Sequence, residues 1–421
     1  MTFFMAGKGR LRKYLKVLGP GLITGASDDD PSGIATYSQA GAGFGLHLLW
    51  MAPVTFPLMA AIQGMCARIG LVTCQGLTHT LKKHYPPVIL YLMLIFSVPA
   101  IILNIGADIA GMGAVTNLLF PSIPSFVFSL LFTVILMAII ILFPYQKIAS
   151  ILKWLCLSIL LYLIVPFLVK VDWKQVFIST FIPHLELNKE FIEMIVAILG
   201  TTISPYLFFW QATMEAEDQE HNKSIVVDKQ ILRNMTADVN IGMFASNLVM
   251  LFIILTTGVV LFNAGTRDIE TVDQAAKALA PLAGKFSYVC FALGVVGTGF
   301  LAIPVLTGSL SYILAESFGW VEGLDKKFNE ARAFYIVIIV SLIIGLLINM
   351  LGISPMKALI FTAILYGVTS PVMIAVILHI SNNKKIMNEY TNNRFSNALG
   401  MITFIIMTLA AGVLIYFQFI K

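Results

Sequence analysis

The sequence has little charge for its length. Only 12% of its 421 residues are charged, against about 25% in soluble domains, whereas 58% are hydrophobic. The net charge of +5 is too small to indicate a nucleic-acid partner. The composition therefore excludes a single soluble core and predicts a polytopic α-helical membrane protein.

Cysteine and histidine are also scarce. The four cysteines show no paired spacing, which favours their use as small apolar core residues: Cys66, Cys74, Cys156 and Cys290. The six histidines fall in loops or near the ends of the predicted spans. None of them adjoins either of the two helix breaks described below.

Long apolar runs are abundant instead. Runs of about 20 residues, enough to cross about 30 Å of hydrocarbon, recur along the whole chain. We place eleven spans at 16–44, 48–71, 87–114, 125–144, 150–169, 192–214, 237–262, 286–314, 333–352, 355–380 and 396–420.

The basic residues predict the orientation of these spans. With the N-terminus inside, 19 of the 27 Lys and Arg residues fall on the inner side and 8 on the outer side. We therefore expect a plasma-membrane protein with a retained cytoplasmic tail (1–15) and its C-terminus outside. A transporter core (16–380) and a connecting loop with the eleventh span (381–421) follow the tail.

Spans one and six each carry a proline directly after a helix-capping residue. In "SDDDPSGIA" Asp30 precedes Pro31, and in "GTTISPYLFF" Ser204 precedes Pro205. Each span is predicted to stop, unwind and restart within the membrane. The breaks lie five spans apart, so the second unit would be inverted relative to the first, a pattern that indicates a transporter's central site. Two ordinary proline kinks are the alternative.

Three carboxylates lie at the first break, where the helix dipole is already negative. Asp28, Asp29 and Asp30 are tolerable there if they are protonated or if a cation fills the gap. Oxygen donors suit a hard divalent cation. We predict Asp30 as the primary ligand, with Asp28 and Asp29 lining the approach. Thr201 and Ser204 are expected on the opposite wall. The alternative for Asp30 is a capping role alone.

Two further spans carry polar residues at membrane depth. Asp108 in span three is predicted to relay protons or cations, with a buried, hydroxyl-bonded acid as the alternative. Asn104, one helical turn earlier, is expected to share its network. Thr369 and Ser370 in span ten could add hydroxyl groups to the cavity.

The stretch "GPGLITGASDDDPSGIATYSQAGA" resembles the first-span signature of the natural-resistance-associated macrophage protein (NRAMP) metal transporters, which reads GPG, then DPGN, then QAGA. Span six falls where that family carries its MPH motif. The resemblance implies a LeuT-type fold, in which two inverted five-helix repeats with broken spans one and six are followed by an eleventh helix. It also implies a divalent cation as substrate rather than cofactor, a lipid bilayer as surroundings, and no obligate protein partner.

Several metal-binding positions of that family differ in this chain. The family's metal-binding aspartate falls on Asp30, but its asparagine falls on Gly33. The alanine that offers its carbonyl falls on Thr201, and the methionine falls on Ser204. Without the soft methionine donor, preference for Mn²⁺ or Fe²⁺ over hard ions should weaken. The glycine should widen the site and favour a partly hydrated ion.

The family's proton-handling positions differ as well. The histidine of the MPH motif falls on Tyr206, and a second histidine of span six falls on Gln211. Asp108 is retained, but the acidic position three residues later is Gly111. Histidine is the side chain best suited to titrate near neutral pH, so its loss places proton coupling in doubt.

We therefore expect a transporter, not an enzyme, that imports Mg²⁺ or Mn²⁺ by alternating access and resembles the NRAMP-related branch that includes magnesium transporters. An ordinary proton-coupled Mn²⁺/Fe²⁺ transporter and an organic-solute symporter of the same fold are the alternatives. An intramembrane aspartyl protease built on Asp30 and Asp108 would need the two carboxylates in contact.

Overall fold

The computed structural model describes residues 19–143, 161–221 and 228–419, and within them the secondary structure is helical throughout. The first predicted span is two helices, α1 (Pro20–Asp28) and α2 (Pro31–Phe44), joined by a short non-helical step. At this step Asp30 is extended (φ −71°, ψ 173°) and Pro31 opens α2. The predicted interruption of span one is confirmed.

The rest of the first half is formed by α3 (Met51–Thr73), α4 (Leu77–His84), α5 (Pro87–Leu119), α6 (Ser125–Leu142), α7 (Leu161–Ile164) and α8 (Trp173–Phe181). The predicted span 150–169 lies mostly outside the described residues.

Span six is interrupted in the same manner as span one. Helix α9 (Lys189–Thr202) ends before Ile203 and Ser204, and α10 (Pro205–His221) begins with the proline. The remaining helices are α11 (Lys229–Thr257, continued by a π-helical turn to Phe262), α12 (Val272–Ala276), α13 (Ala280–Ala283), α14 (Ser287–Phe318), α15 (Arg332–Ile348), α16 (Pro355–Asn382), α17 (Lys384–Met387) and α18 (Arg394–Phe419).

Nine spans among the described residues are long and apolar enough to cross a membrane. Their burial differs greatly: 89% of the apolar window of span six is inside the protein, against 28% for α6 and for α18. The broken span is therefore central, whereas the outer helices present leucine, isoleucine and phenylalanine to lipid. The peripheral α18 matches the expected eleventh helix.

Glycines allow the broken helices to pack closely on their neighbours. Gly25 of α1 lies against the backbone of Gly242 in α11, and Gly200 of α9 lies against Gly367 in α16. A β-carbon at either crossing would collide with backbone atoms, so small residues set the separation of these helices. The two breaks are thereby held in the middle of the helix bundle.

Candidate metal site at the two helix breaks

Four carboxylates meet at the centre of the bundle. Asp28, Asp29 and Asp30 come from the first break and Asp108 from α5, and each is at most 5% exposed. Among the described residues, no lysine, arginine or histidine forms an ion pair with any of them. Burying several acids together without a protein cation is costly unless protons or a bound cation compensate.

Both carboxylate oxygens of Asp30 are held by the protein. Oδ1 accepts a hydrogen bond from the Gly33 backbone amide at 2.7 Å, and Oδ2 accepts one from Asn104 Nδ2 at 3.0 Å. The Asn104 carbonyl oxygen in turn accepts from the Thr362 hydroxyl of α16 at 3.0 Å. Capping leaves lone pairs on both Asp30 oxygens, so the residue can cap α2 and still ligate a cation.

Asp28 and Asp29 face α11. The Ser246 hydroxyl lies 2.7 Å from Asp28 Oδ2 and 3.4 Å from Asp29 Oδ1, so one donor serves two acids. The other oxygen of Asp28 is buried without a hydrogen-bond partner. These two acids therefore lie beside Asp30 on the side of the break that α11 covers.

Asp108 is the least satisfied of the four acids. It is fully buried, and neither of its oxygens accepts a hydrogen bond of ordinary geometry in the described structure. Asp30 and the backbone of Ser32 are its electrostatic neighbours. Asn104 donates to Asp30, the charged neighbour of Asp108, so it joins the network of Asp108 through Asp30.

Gly33 and Thr201 face each other across the gap between the two broken spans. A β-carbon at Gly33 would lie 3.2 Å from the carbonyl oxygen of Asp28 and 3.4 Å from Thr201 Oγ1. The structure thus brings together a carbonyl from the first break and a hydroxyl from span six. Glycine omits the β-carbon that these two oxygens and the Tyr37 ring, also 3.4 Å away, would crowd.

Ser204 is at the second break, but its hydroxyl turns back onto its own backbone. It lies 2.6 Å from the carbonyl oxygen of Thr201 and 3.0 Å from that of Gly200. Its proton is therefore used to satisfy a carbonyl freed by the break, and only its oxygen lone pairs remain for a ligand.

Two tyrosines connect the broken spans. Tyr206 of α10 donates to the Ser27 carbonyl at the end of α1, at 3.0 Å. Tyr37 of α2 lies 3.2 Å from the Thr202 hydroxyl of α9. Tyr206 therefore joins the breaks at the position where the related family carries a histidine.

The remaining predicted residues lie further from the acids. Gln211 accepts from Thr24 of α1 at 2.6 Å and donates to Glu215 at 2.9 Å, which forms a buried polar chain along α10. Thr369 donates within its own helix, to Leu365. Its neighbour Ser370 reaches the second break and donates to the Ile203 carbonyl at 3.0 Å.

Sequence reasoning did not find the partners from other helices. Ser246 of α11 and Thr362 of α16 are single hydroxyl residues within apolar runs, with no local pattern to set them apart. Asp238 of α11 has a clearer signal in the sequence, because it is an acid near the start of predicted span seven. Its two oxygens accept from the amides of Gly19 and Gly21 at 2.9 and 2.7 Å, so it caps α1 from a neighbouring helix.

A cavity of about 640 Å³ opens at the end of the molecule that the basic-residue count assigns to the inner side. Its lining includes Glu316, Glu322 and His79. Glu316 accepts from the His79 amide at 2.7 Å. Burial, together with the charges of Glu316 and Glu217, raises the pKa of Glu322 above its ordinary value. A raised pKa favours the protonated acid, so a cation that enters this cavity would favour ionisation of its glutamates.

Two interrupted helices in inverted units, with buried oxygen donors converging at both breaks, define a membrane protein of the LeuT-type fold. The profile of the natural resistance-associated macrophage protein-like family matches residues 21–417. The chain therefore belongs to this family, as the resemblance of span one predicts.

Curated relatives agree with this assignment, and solved structures agree with the fold. The chain is 27% identical over 409 residues to the divalent metal cation transporter MntH of Caldanaerobacter subterraneus subsp. tengcongensis, covering 96% of this chain and 94% of the relative. It is 26% identical to the MntH of Clostridium acetobutylicum, covering 97% and 92%. The Eremococcus coleocola manganese transporter superposes with a TM-score of 0.76 at 19% identity, covering 97% and 87%. The nucleobase-cation symporter Mhp1 in a closed conformation superposes with a TM-score of 0.61 at 12% identity, covering 95% and 90%.

Proposed function

We propose that this protein imports a divalent metal cation across the plasma membrane by alternating access, with Mg²⁺ or Mn²⁺ as the transported ion. The observation that carries the proposal is the group of four buried acids, three at the first break and Asp108 on α5, beside the Asp28 carbonyl and a hydroxyl from span six. A dipositive ion would neutralise this group. The names of the related transporters support the same substrate class.

The donor set favours a hard ion. The hydrogen bonds of Asp28, Asp29 and Asp30 involve only nitrogen and oxygen atoms of the described residues. We infer that Asp30 is the primary ligand and that Thr201, with the carbonyl of Asp28, completes the shell, partly through water. Mg²⁺ retains water and requires oxygen ligands, whereas soft donors would favour later transition metals.

Proton coupling of the kind that uses a histidine relay is not supported by the residues present. The position that carries a histidine in the related family is Gln211, which forms hydrogen bonds to Thr24 and Glu215 but does not titrate. We therefore infer that transport does not depend on a histidine of span six. Co-import of protons along with strong Mn²⁺ preference would instead favour the ordinary proton-coupled Mn²⁺/Fe²⁺ transporter.

The test separates the charge of Asp30 from its capping role. In Asp30→Asn the amide oxygen can still accept from the Gly33 amide, because asparagine is also a strong N-cap, but the charge is lost. We expect this variant to fold and to lose divalent-cation uptake in proteoliposomes. Asp273→Asn, which removes a partly exposed carboxylate paired with Lys277, is the control and should retain uptake.

Wild-type uptake of Mg²⁺ and Mn²⁺ is measured in the same vesicles with the internal pH recorded. Undiminished uptake by Asp30→Asn would show that Asp30 only caps α2, and would remove the basis of the proposal. Uptake of an amino acid instead of metal would favour the organic-solute symporter; the four acids make this alternative unfavourable, because they would repel a substrate carboxylate.

A further inference from the structure

We propose a second metal site, formed by His47, His184 and Glu186, which binds a borderline transition-metal cation such as Zn²⁺ or Co²⁺ at the outer end of the protein. One ligand atom from each residue lies within 4.8 Å of the others. His47 follows α2, and the other two residues precede α9. The site therefore joins segments that extend from the outer halves of both broken spans.

The distances fit a tetrahedral ion. Glu186 Oε1 lies 3.3 Å from His47 Nδ1 and 3.2 Å from His184 Nε2. A tetrahedron with metal–ligand bonds of about 2.0–2.1 Å has edges of about 3.3–3.4 Å, which these two distances match. The ligand nitrogens of His47 and His184 lie within 4.8 Å of each other, and binding would set their separation to the same edge length. The side chains are 35–50% exposed, which leaves water free to fill the fourth position. Two imidazoles and one carboxylate are a donor set that zinc uses widely and that Mg²⁺ does not favour.

The surrounding contacts orient the ligands. Asn188 Nδ2 donates to the second oxygen of Glu186 at 2.9 Å, while Asn188 Oδ1 caps α9 by accepting from Phe191 N at 2.8 Å. Trp50 Nε1 donates to the His184 carbonyl at 3.2 Å. Asn188 thereby links Glu186 to the start of α9, and Trp50 holds the His184 backbone; outer-shell partners orient ligands in this way in metal sites.

The same corner is already packed by aromatic rings. Phe44, at the end of α2, meets Phe191 of α9 edge-on with ring centroids 5.2 Å apart, and the His47 and His184 rings lie 4.2 Å apart. A bound ion would add a coordinate link to this contact. The consequence is a metal-dependent clamp between the outer ends of α2 and α9, independent of the ion carried through the centre.

The experiment uses Co²⁺, because its visible absorption reports tetrahedral coordination, and an Asp30→Asn background, which removes the proposed central ligand. We expect the purified full-length protein to bind one Co²⁺ with tetrahedral bands. Zn²⁺ should displace it, and excess Mg²⁺ should not. Removing one ligand, by His47→Ala or His184→Ala, should weaken binding about tenfold or more and abolish the bands. His84→Ala, which removes an exposed histidine at the other end, should change neither.

Three outcomes would overturn the proposal: absence of Co²⁺ binding, binding with only octahedral bands, or unchanged binding in both histidine variants. The ligand side chains are partly exposed, so these substitutions should not prevent folding. Unchanged Co²⁺ binding in both histidine variants would therefore rule out the site. Because the background lacks the Asp30 charge, the result does not depend on whether the central transport site is correct.

Discussion

Asn104 holds the carboxylate of Asp30 from a helix 74 residues away in sequence. Its own carbonyl is held by Thr362, so the amide cannot rotate without breaking two buried hydrogen bonds. A ligand fixed in this way is preorganised, which lowers the cost of binding an ion. Asn104 is therefore a positioning residue for the proposed site.

Asn104→Ala should raise the KM for divalent-cation uptake by about 10- to 100-fold, the usual effect of removing an outer-shell partner. The KM is obtained from initial uptake rates measured in proteoliposomes at a series of ion concentrations. Asn117→Ala is the matched control. This asparagine is also on α5, near the C-terminal end of the helix, and donates to the Ile123 carbonyl. An unchanged KM in Asn104→Ala, in a folded protein, would contradict the positioning role.

At the scale of helices, α1 is held to the bundle through its backbone. Asp238 of α11 accepts from the amides of Gly19 and Gly21, two groups that have no partner within α1. At the other end of α1, Tyr206 donates to the Ser27 carbonyl. The short helix therefore depends on α10 and α11 for its ends, so its release would require these bonds to break.

Asp238→Asn should loosen the start of α1, because it replaces a charged acceptor of two amides with a neutral one. Asparagine keeps one acceptor oxygen, so one of the two amides loses its partner. The cost is at most that of removing such a cap, about 0.5–2 kcal/mol, which corresponds to up to roughly 30-fold faster hydrogen exchange at the first amides of α1. Exchange measured by mass spectrometry over residues 19–28 checks this. Asp228→Asn, which affects the cap of α11 itself, should leave α1 unchanged. Equal protection of α1 in wild type and Asp238→Asn would rule out the cap.

At the scale of the whole molecule, the buried acids connect stability to the transported ion. A fold that buries four carboxylates without a described ion pair is stabilised by whatever neutralises them. An ion that binds the folded state alone adds stability that grows with its concentration. The free energy of unfolding should therefore depend on the divalent-cation concentration more strongly than it does in a helical bundle without buried acids.

Mg²⁺ at about 100 times its dissociation constant should stabilise the wild-type protein by about 2.7 kcal/mol and raise its unfolding midpoint. Asp30→Asn should show no such rise, and K⁺ at equal ionic strength should have no effect on either protein. Thermal unfolding in detergent measures the midpoints. The outer histidine site does not interfere, because Mg²⁺ does not favour imidazole ligands. A rise of equal size in both proteins would place the Mg²⁺ effect elsewhere.

The elements were largely predictable from local sequence. Helix α5 was placed at 87–114 and runs to Leu119, and α11 was placed at 237–262 and begins at Lys229. The break at Pro31 was predicted at the correct residue, because capping and proline geometry depend only on neighbours in the chain. In the spans that the structure describes, the boundaries were wrong by several residues, because no apolar pattern marks a helix end. Short helices between the spans, such as α4 and α8, were not predicted.

The site was only partly predictable. Asp30, Gly33 and Thr201 are near one another as expected, but Ser204 turns to its own backbone and Thr369 donates within α16. The orientation of a hydroxyl depends on which carbonyls the break leaves free. The histidine pair at the outer end was missed altogether, because His47 and His184 are 137 residues apart and share no motif.

By itself the sequence determined the membrane class, the span positions and the two broken helices, because hydropathy, capping and proline act over a few residues. Only the tertiary structure decided which side chains meet at the breaks: Asn104 with Asp30, Ser246 with Asp28, and Asp238 with the start of α1. These contacts join residues 74 to 218 positions apart. Their partners are set by how the helices cross, and the crossings depend on packing across the whole bundle.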